Sequence, residues 1–193
     1  MSSFPAIVLA AGASSRCPEG KLSKIYNGQP LLAWTLHRLG ESTKIKSVLV
    51  ICGYKRTEIE SITQLFPKAR TIFNPSWSLG LSSSLKVGLK NLDGDESGVL
   101  LVLGDTPFFS LKTLDAVLPE KEQIEEIRFP SYRGVPGHPK YIPRRLFPAL
   151  ESLRGDQGAK HLIRNAKGRK REILVEDPGI LRDFDKPEDF ENI

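Results

Sequence analysis

The chain has 193 residues, 39% apolar and 26% charged, with 28 Lys and Arg against 23 Asp and Glu, a net charge of +5. A chain of this size buries roughly 70% of its unfolded surface, so one hydrophobic core suffices without disulfide or metal staples. These values exclude wholesale disorder, no apolar run reaches the roughly 20 residues that span a bilayer, and the charge excess is too small to mark a DNA or RNA binder. The start, Met1-Ser2-Ser3-Phe4-Pro5, carries no basic region ahead of its short apolar run, which predicts a cytoplasmic protein with no signal peptide. Cys17 and Cys52, with His37, His138 and His161, match no metal-ligand spacing. Cys52 ends an apolar run and reads as a buried hydrophobe, whereas Cys17 sits in a polar loop.

In chain order, residues 4–9 read as a buried strand, with the β-branched run Ile7-Val8 at its centre. Residues 10–20 form a loop of small and turn-forming residues. Apolar residues at 32, 36 and 39 predict a helix over 31–39 with Gly40 as its C-cap. A second strand covers 47–52. A helix covers 55–66, with Ile59, Ile62 and Phe66 on one stripe and Pro67 ending it. A short strand over 69–73 precedes a helix marked by Leu81, Leu85, Leu89 and Leu92, and Asp93-Gly94-Asp95 is a surface turn. Residues 98–103 (GVLLVL) give the strongest strand pattern, and 111–118 a helix capped by Ser110. Further on, strands are predicted near 126–129, 140–142 and 171–175, and helices over 144–153 and 158–165. Strands that are apolar throughout and alternate with helices up to residue 118 predict a mostly parallel α/β sheet covered on both faces. The irregular second half predicts a small β-rich lobe added to a single domain.

In open α/β sheets, ligands bind beyond the carboxyl ends of the strands. The first such end reads Leu9-Ala10-Ala11-Gly12-Ala13-Ser14-Ser15-Arg16, with Lys21 following. Small residues let the backbone approach a ligand, Gly12 adopts positive φ cheaply, and successive N–H groups form an anion nest. Arg16 supplies a two-pronged donor and Lys21 a mobile point charge. The spacing is neither GxGxxG nor GxxxxGK[ST], which excludes a dinucleotide dehydrogenase and a P-loop ATPase. The bland alternative is a flexible surface loop.

A carboxylate at the end of the strongest strand, Asp105 in Gly104-Asp105-Thr106-Pro107, is placed to hold Mg²⁺ against phosphates, unless it is only a turn or cap residue. Asp183-Phe184-Asp185 offers a second carboxylate, its i, i+2 spacing putting both acids on one face, although the whole tail is acidic. Residues 74–84 are dense in hydroxyls and backbone donors at a helix start, which suits base, ribose or phosphate contacts. Within them Trp77 reads as packing rather than stacking. The turn 134–139 reads as a lid or pocket wall whose His138 is either an acid–base group or structural. Asp156 reads as the N-cap of the helix over 158–165, and His37 as uninvolved. The cluster Arg164, Lys167, Arg169, Lys170 and Arg171 reads as a solvated turn before a strand.

The opening loop resembles the LAAGxSxRMGxxK signature of the small nucleotidyltransferases that complete molybdenum cofactor. Four further blocks are similar to that family: the run from Asn74 (N-P-x-W-x-x-G-x-S-S-S-L), Gly104 to Pro107 (G-D-x-P), Gly137 to Pro139 with Gly155 to Lys160 (G-H-P, then G-D-x-G-A-K), and Asp183 to Phe190 (D-x-D-x-P-E-D-F). They span nearly the whole chain in order and most resemble molybdenum cofactor cytidylyltransferases, which transfer CMP from CTP to the molybdopterin phosphate and release pyrophosphate. The resemblance implies a three-layer, mostly parallel, Rossmann-like sheet of the glycosyltransferase-A type, with a nucleotide-binding half (1–118) and an acceptor-binding, metal-completing half (119–193).

By position, the resemblance implies that Ala10, Gly12, Ala13 and Ser14 wrap the CTP phosphates. Arg16, Lys21 and Asp105 form the catalytic set, and Asp105 and Asp185 bind Mg²⁺. Ala11 and Ser84 reach base or ribose, and Asn74, Gly80, Ser83, Gly104 and His138 complete the nucleotide site. Ala10-Ala11-Gly12, where guanylyltransferases have LAGG, favours CTP. The chain departs from the family at Arg16-Cys17-Pro18, where Pro18 replaces glycine and removes a backbone donor. The implied partners are the nucleotide and a phosphorylated pterin, with transient contact to a molybdoenzyme, and neither nucleic acid nor membrane. Three other readings stand beside this one: nucleotidyl transfer to another phosphorylated acceptor such as a sugar or polyol phosphate, a non-catalytic cofactor carrier, and a nucleic-acid module using the basic cluster, which lacks interleaved aromatics.

Overall fold

The computed structural model describes residues 3–13, 20–165 and 169–190. Loop residues Ser14, Arg16, Cys17 and Pro18 lie outside them, as does Lys167 of the basic cluster. In chain order the elements are β1 (Phe4–Ala10), β2 (Ile25–Tyr26), β3 (Gln29–Pro30), α1 (Leu31–Glu41), β4 (Ile45–Cys52), α2 (Arg56–Thr63), β5 (Ala69–Phe73), α3 (Leu81–Lys90), β6 (Gly98–Leu103), α4 (Leu111–Val117), β7 (Ile127–Tyr132), β8 (Val135–Pro136), β9 (Lys140–Pro143), α5 (Phe147–Glu151), α6 (Ala159–Asn165) and β10 (Lys170–Leu174). The main sheet runs β10-β7-β9-β6-β1-β4-β5, with β8 paired to β7. Along that path β9 alone runs against its neighbours. The β-rich second half thus takes the form of a continuation of this sheet past β6.

Two-sided burial explains the apolar strands. On one face Phe4, Ala6, Val8, Leu100 and Val102 meet Leu36 of α1, Ile59 of α2 and Leu114 of α4. On the other, Ile7, Leu49, Ile51, Val99 and Leu101 meet Leu85 and Leu89 of α3, Leu150 of α5 and Leu162 of α6. Consecutive residues of β1 therefore feed opposite cores, as a period of two requires. β1 pairs with β4 on one side and β6 on the other, Val8 standing beside Val50 and Val102. The chain moves outward from β1 through β4 to β5, then returns to the far flank of β1 as β6. This reversal splays the loops after β1 and β6 apart and opens a crevice between them.

Several local readings change. Gly40 does not cap α1, which runs through it to Glu41, since tertiary packing of Leu36 and Leu39 outweighs glycine's low helix propensity. The helix expected over 55–66 begins after Lys55, which is left-handed at φ 56°. The helix expected over 144–153 divides into a 3₁₀ turn (Arg144–Leu146) and α5, because Pro148 cannot donate into a preceding turn. The small hairpin β2–β3 went unpredicted, although Asn27-Gly28 is a strong two-residue turn signal, and both residues adopt positive φ (47° and 83°). Ser110 caps α4 as predicted, accepting from Thr113 N. Cys52 is fully buried as predicted.

The tail returns to the sheet as a strap. Phe184 N donates to the Asp105 carbonyl at 3.2 Å, and Ile180 O accepts from His138 N at 3.1 Å. Phe184 is fully buried among the rings of Tyr26, Phe108 and Phe190, and the Arg182 guanidinium lies over Tyr26, Phe108 and Phe184. This aromatic anchor fixes where Asp185 falls. Phe184→Ala should cost about 3–5 kcal/mol, read as a lower urea midpoint at unchanged m-value.

Candidate active site

The crevice between β1 and β6 holds a cleft of about 340 Å³ lined by Ala10 to Ala13, Lys21, Trp77, Gly80, Ser84, Asp105 and Asp156, among others. Its floor is tied to both neighbouring strands. Gly104 N donates to Leu9 O and Tyr54 N to Ala11 O, each at 3.1 Å, so the loop leaves β1 from a fixed point. Ala11 is buried while Gly12 is exposed. Gly12 does not adopt the positive φ expected of it, and a Cβ there would meet open space. Its smallness leaves room at the cleft rather than permitting a turn.

Lys21 joins the two candidate metal carboxylates. Its Nζ donates to Asp105 Oδ2 at 2.5 Å, a contact that the pairing of β1 with β6 closes, and to Asp185 Oδ1 at 2.9 Å, which the strap brings in. Burial alone lowers the Lys21 pKa, but Asp105 and then Asp185 outweigh it, and the ammonium stands above its ordinary 10.5. Burial raises the Asp183 carboxyl, and Asp185 adds to this by repulsion. Asp183 and Asp185 do not share a strand face. Residues 183–185 form no strand, and Asp185 reaches Lys21 while Asp183 is exposed.

Other sequence candidates separate into cleft residues and supports. Ser84 and Gly80 line the cleft. Asn74 and Ser83 do not. Asn74 is fully buried and donates to Ser83 Oγ (2.8 Å) and Ser84 Oγ (3.0 Å), while its own oxygen accepts from Ser76 N. It therefore orders the turn that presents Ser84. Gly104 is not among the lining residues but spaces them: its carbonyl accepts from the buried Thr35 hydroxyl. His138 is also absent from the described cleft lining and contacts Lys140 instead. His37 packs on Phe66 away from the site, as predicted. Trp77 packs on Tyr54 at 5.8 Å between ring centres yet still lines the cleft.

Asp156 was misassigned by the sequence. It lines the cleft, and its carboxylate accepts from Leu81 N at 3.4 Å, so it serves the start of α3 rather than α6. Gly80 makes this approach feasible. Its φ is +97°, and a Cβ there would lie 2.5 Å from the Gly155 carbonyl carbon and 2.8 Å from Asp156 Oδ1. The predicted second-half loop thus closes one wall of the cleft. Sequence signals for this were absent, because the contact spans 75 residues.

Among the described residues no cluster of three or more His, Cys, Asp or Glu side chains could hold a metal, and no helix is long and apolar enough to cross a membrane. Two carboxylates focused on one cation are nonetheless the donor set that Mg²⁺ uses alongside phosphate and water oxygens.

Solved structures with this fold include a nucleotidyl transferase from Methanothermobacter thermautotroptrophicus (TM-score 0.78, 20% identity, 99% of this chain and 95% of that one). The fold is that of a nucleotidyltransferase. The MobA-like NTP transferase domain matches residues 6–172, and the chain belongs to that family. The Purine catabolism protein PucB of Bacillus subtilis is 27% identical over 201 residues, covering 97% of this chain and 94% of PucB. The Bifunctional protein GlmU of Paracoccus denitrificans is 27% identical over 183 residues, and there the match takes in only 40% of the relative's length. The structure of an Rv0371c homolog from Mycobacterium sp. strain JC1 superposes with a TM-score of 0.80 at 26% identity, covering 97% of this chain and 93% of that one.

Lys21's raised pKa has a defined pH consequence. The pairing contributes stability that is complete below pH 10.5 and is lost as pH rises through the higher folded value. Lys21→Met should therefore lower Tm by about 2–6 °C at neutral pH, by a similar amount from mildly acidic pH upward, with the difference shrinking above pH 10.5. Thermal melts of both proteins across that range check it.

Proposed function

We propose that this chain transfers CMP from CTP to the terminal phosphate of molybdopterin, releasing pyrophosphate, with Mg²⁺ as cofactor. The observation that carries the transferase chemistry is the convergence of Lys21, Asp105 and Asp185 at the mouth of the Ala10 to Ala13 loop. The five motif blocks that resemble the cofactor cytidylyltransferases support the acceptor assignment. Its nucleotide preference rests on the resemblance of Ala10-Ala11-Gly12 to the cytosine users, and a methyl at Ala11 in the cleft lining would leave less room and so suit a pyrimidine.

Asp105 and Asp185 would hold Mg²⁺, which would supply charge stabilisation at phosphate oxygens. The chain's own residues do the rest. Backbone N–H groups of the loop face the triphosphate, Lys21 turns from its carboxylates to the phosphates as charge develops, and Ser84, Trp77 and Asp156 fix the nucleoside end. The attacking oxygen belongs to a phosphomonoester, whose second pKa near 6 leaves it ionised at neutral pH, so no strong base is required. That agrees with a described cleft lining that contains no histidine. Arg16 is assigned to the triphosphate by motif position.

Two measurements check this. Asp105→Asn should lower kcat by about 10²–10³-fold, the scale of removing one transition-state charge partner, with an unaltered circular dichroism spectrum; near-normal turnover would remove Asp105 from the reaction. Purified protein given Mg²⁺, molybdenum-loaded molybdopterin and either CTP or GTP should form pyrophosphate and pterin dinucleotide with CTP. Product from GTP overturns the base assignment, and product only with a sugar or polyol phosphate overturns the acceptor. Pterin binding without turnover would favour a carrier.

A further inference from the structure

β9 is buried at every residue, yet it begins with a lysine. Lys140 is 5% exposed and lies opposite Leu101 of β6, on the sheet face covered by α3, α5 and α6. Its ammonium is 3.0 Å from His138 Nε2, and among the described residues no carboxylate pairs with it. The charged group that bears on it is Lys160 of α6, which has the same sign. Burial first, and Lys160 second, bring the Lys140 pKa down to about 8. His138 stays neutral, since burial and then Lys140 hold its pKa well below 6.5, with the Leu101 carbonyl opposing them.

The hydrogen-bond inventory of this cluster is one-sided. An ammonium only donates, so His138 Nε2 accepts from Lys140, and the ring proton of the neutral imidazole is assigned to Nδ1. That Nδ1 is buried without a hydrogen-bond partner. Lys140 and Lys160 therefore bring positive charge together with no carboxylate between them among the described residues, and the acceptors at hand are the neutral His138 Nε2 and the Leu101 carbonyl. An uncompensated buried cation destabilises a fold, and a methionine of similar length would not. Lys160 also lines a groove of about 450 Å³ with Gln157, Gly158, Arg164 and Asp156. Asp156 lines the nucleotide cleft too, so groove and cleft adjoin.

We propose that Lys140 and His138, with Lys160 of the adjoining groove, form an anion subsite that binds a negatively charged group of the acceptor other than the phosphate that attacks. This rests on the nucleotidyltransferase reading and adds a substrate class to it: an acceptor with at least two anionic groups. The subsite explains why the second half keeps a lysine in a buried strand beside β6. It also predicts a trade of stability for binding. With a folded pKa near 8 against 10.5 unfolded, charged Lys140 disfavours folding at neutral pH, and stability rises as pH climbs from 8 to 10.5.

Inorganic phosphate is the probe, with chloride at equal ionic strength as control. In ¹³C-lysine NMR of the wild type, phosphate should raise the Lys140 pKa by about one unit, a tenfold shift in its proton affinity. Lys160→Met should raise it in the absence of phosphate. Lys140→Met should melt higher than wild type at pH 7, and phosphate should raise the Tm of wild type but not of Lys140→Met. An unchanged Lys140 titration with phosphate, or a full phosphate effect on Lys140→Met, would overturn the proposal. Repeating the titration with non-hydrolysable α,β-methylene CTP already bound assigns the anion. A phosphate effect that persists supports the acceptor subsite. A shift produced by the nucleotide itself, with phosphate then excluded, gives Lys140 to the triphosphate and refutes it. Failure of the CTP analogue to bind at all would sink the transferase reading instead, and would leave the phosphate titration to be judged separately.

Discussion

The site depends on one cation held by two carboxylates, one from the middle of the chain and one from its tail. Lys21 follows the first strand, Asp105 ends the sixth, and Asp185 arrives on the tail. No local propensity brings these together. Asp105 is placed by β6, whose side chains are locked into both cores. Asp185 is placed by Phe184, which fills an aromatic niche and ties its own N–H to the Asp105 carbonyl. Two like charges brought this close repel, and a partly buried ammonium between them offsets that repulsion. The same ammonium sits at the end of the loop where a polyphosphate's charge would enter.

The sheet order makes this convergence feasible. Because β6 returns to the flank of β1 opposite β4, the segments after β1 and β6 diverge, and a polar crevice opens without an added domain. Small residues do the remaining work there. Ala10 and Ala11 keep the floor low, and Gly80 lets the Gly155 to Asp156 turn lie against the start of α3. Stability and site geometry are thus set by the same contacts: the wall formed by Asp156 belongs to the second half of the chain, and it is seated on a helix of the first.

The parallel core was legible because it is apolar on both faces. β1, β4 and β6 carry uninterrupted Val, Ile and Leu, and such runs have few alternatives in a chain of this length. Asp105 and the opening loop were legible for a related reason, since polar or small residues directly after such strands mark the ligand-binding end. The supports were not. Asn74 and Ser83 look like ligand contacts in a hydroxyl-rich segment, but only the structure shows Asn74 spending its amide on two serines. Asp156 obeys a local capping rule that a contact 75 residues away overrides. Gly40 sits where a cap would, but α1 is held by its buried stripe past that point.

Lys140 was illegible for a different reason. In sequence it precedes a Tyr-Ile pair and looks like an ordinary strand boundary, where a lysine would reach solvent. Pairing of β9 between β6 and β7 places it inside the sheet, and with α5 and α6 on the same face it is only 5% exposed. The mildly basic composition of the chain thereby gains a specific meaning. Lys21 is neutralised by carboxylates, whereas Lys140 faces a neutral imidazole and a second lysine. Lys21 and Lys140 both lie beside β6, the first half-buried and paired with two carboxylates, the second buried with no carboxylate partner among the described residues. The proposed reaction joins two anionic substrates and would need positive charge on both sides of the bond it forms; Lys21 and Lys140 would supply it with no histidine in the described cleft lining.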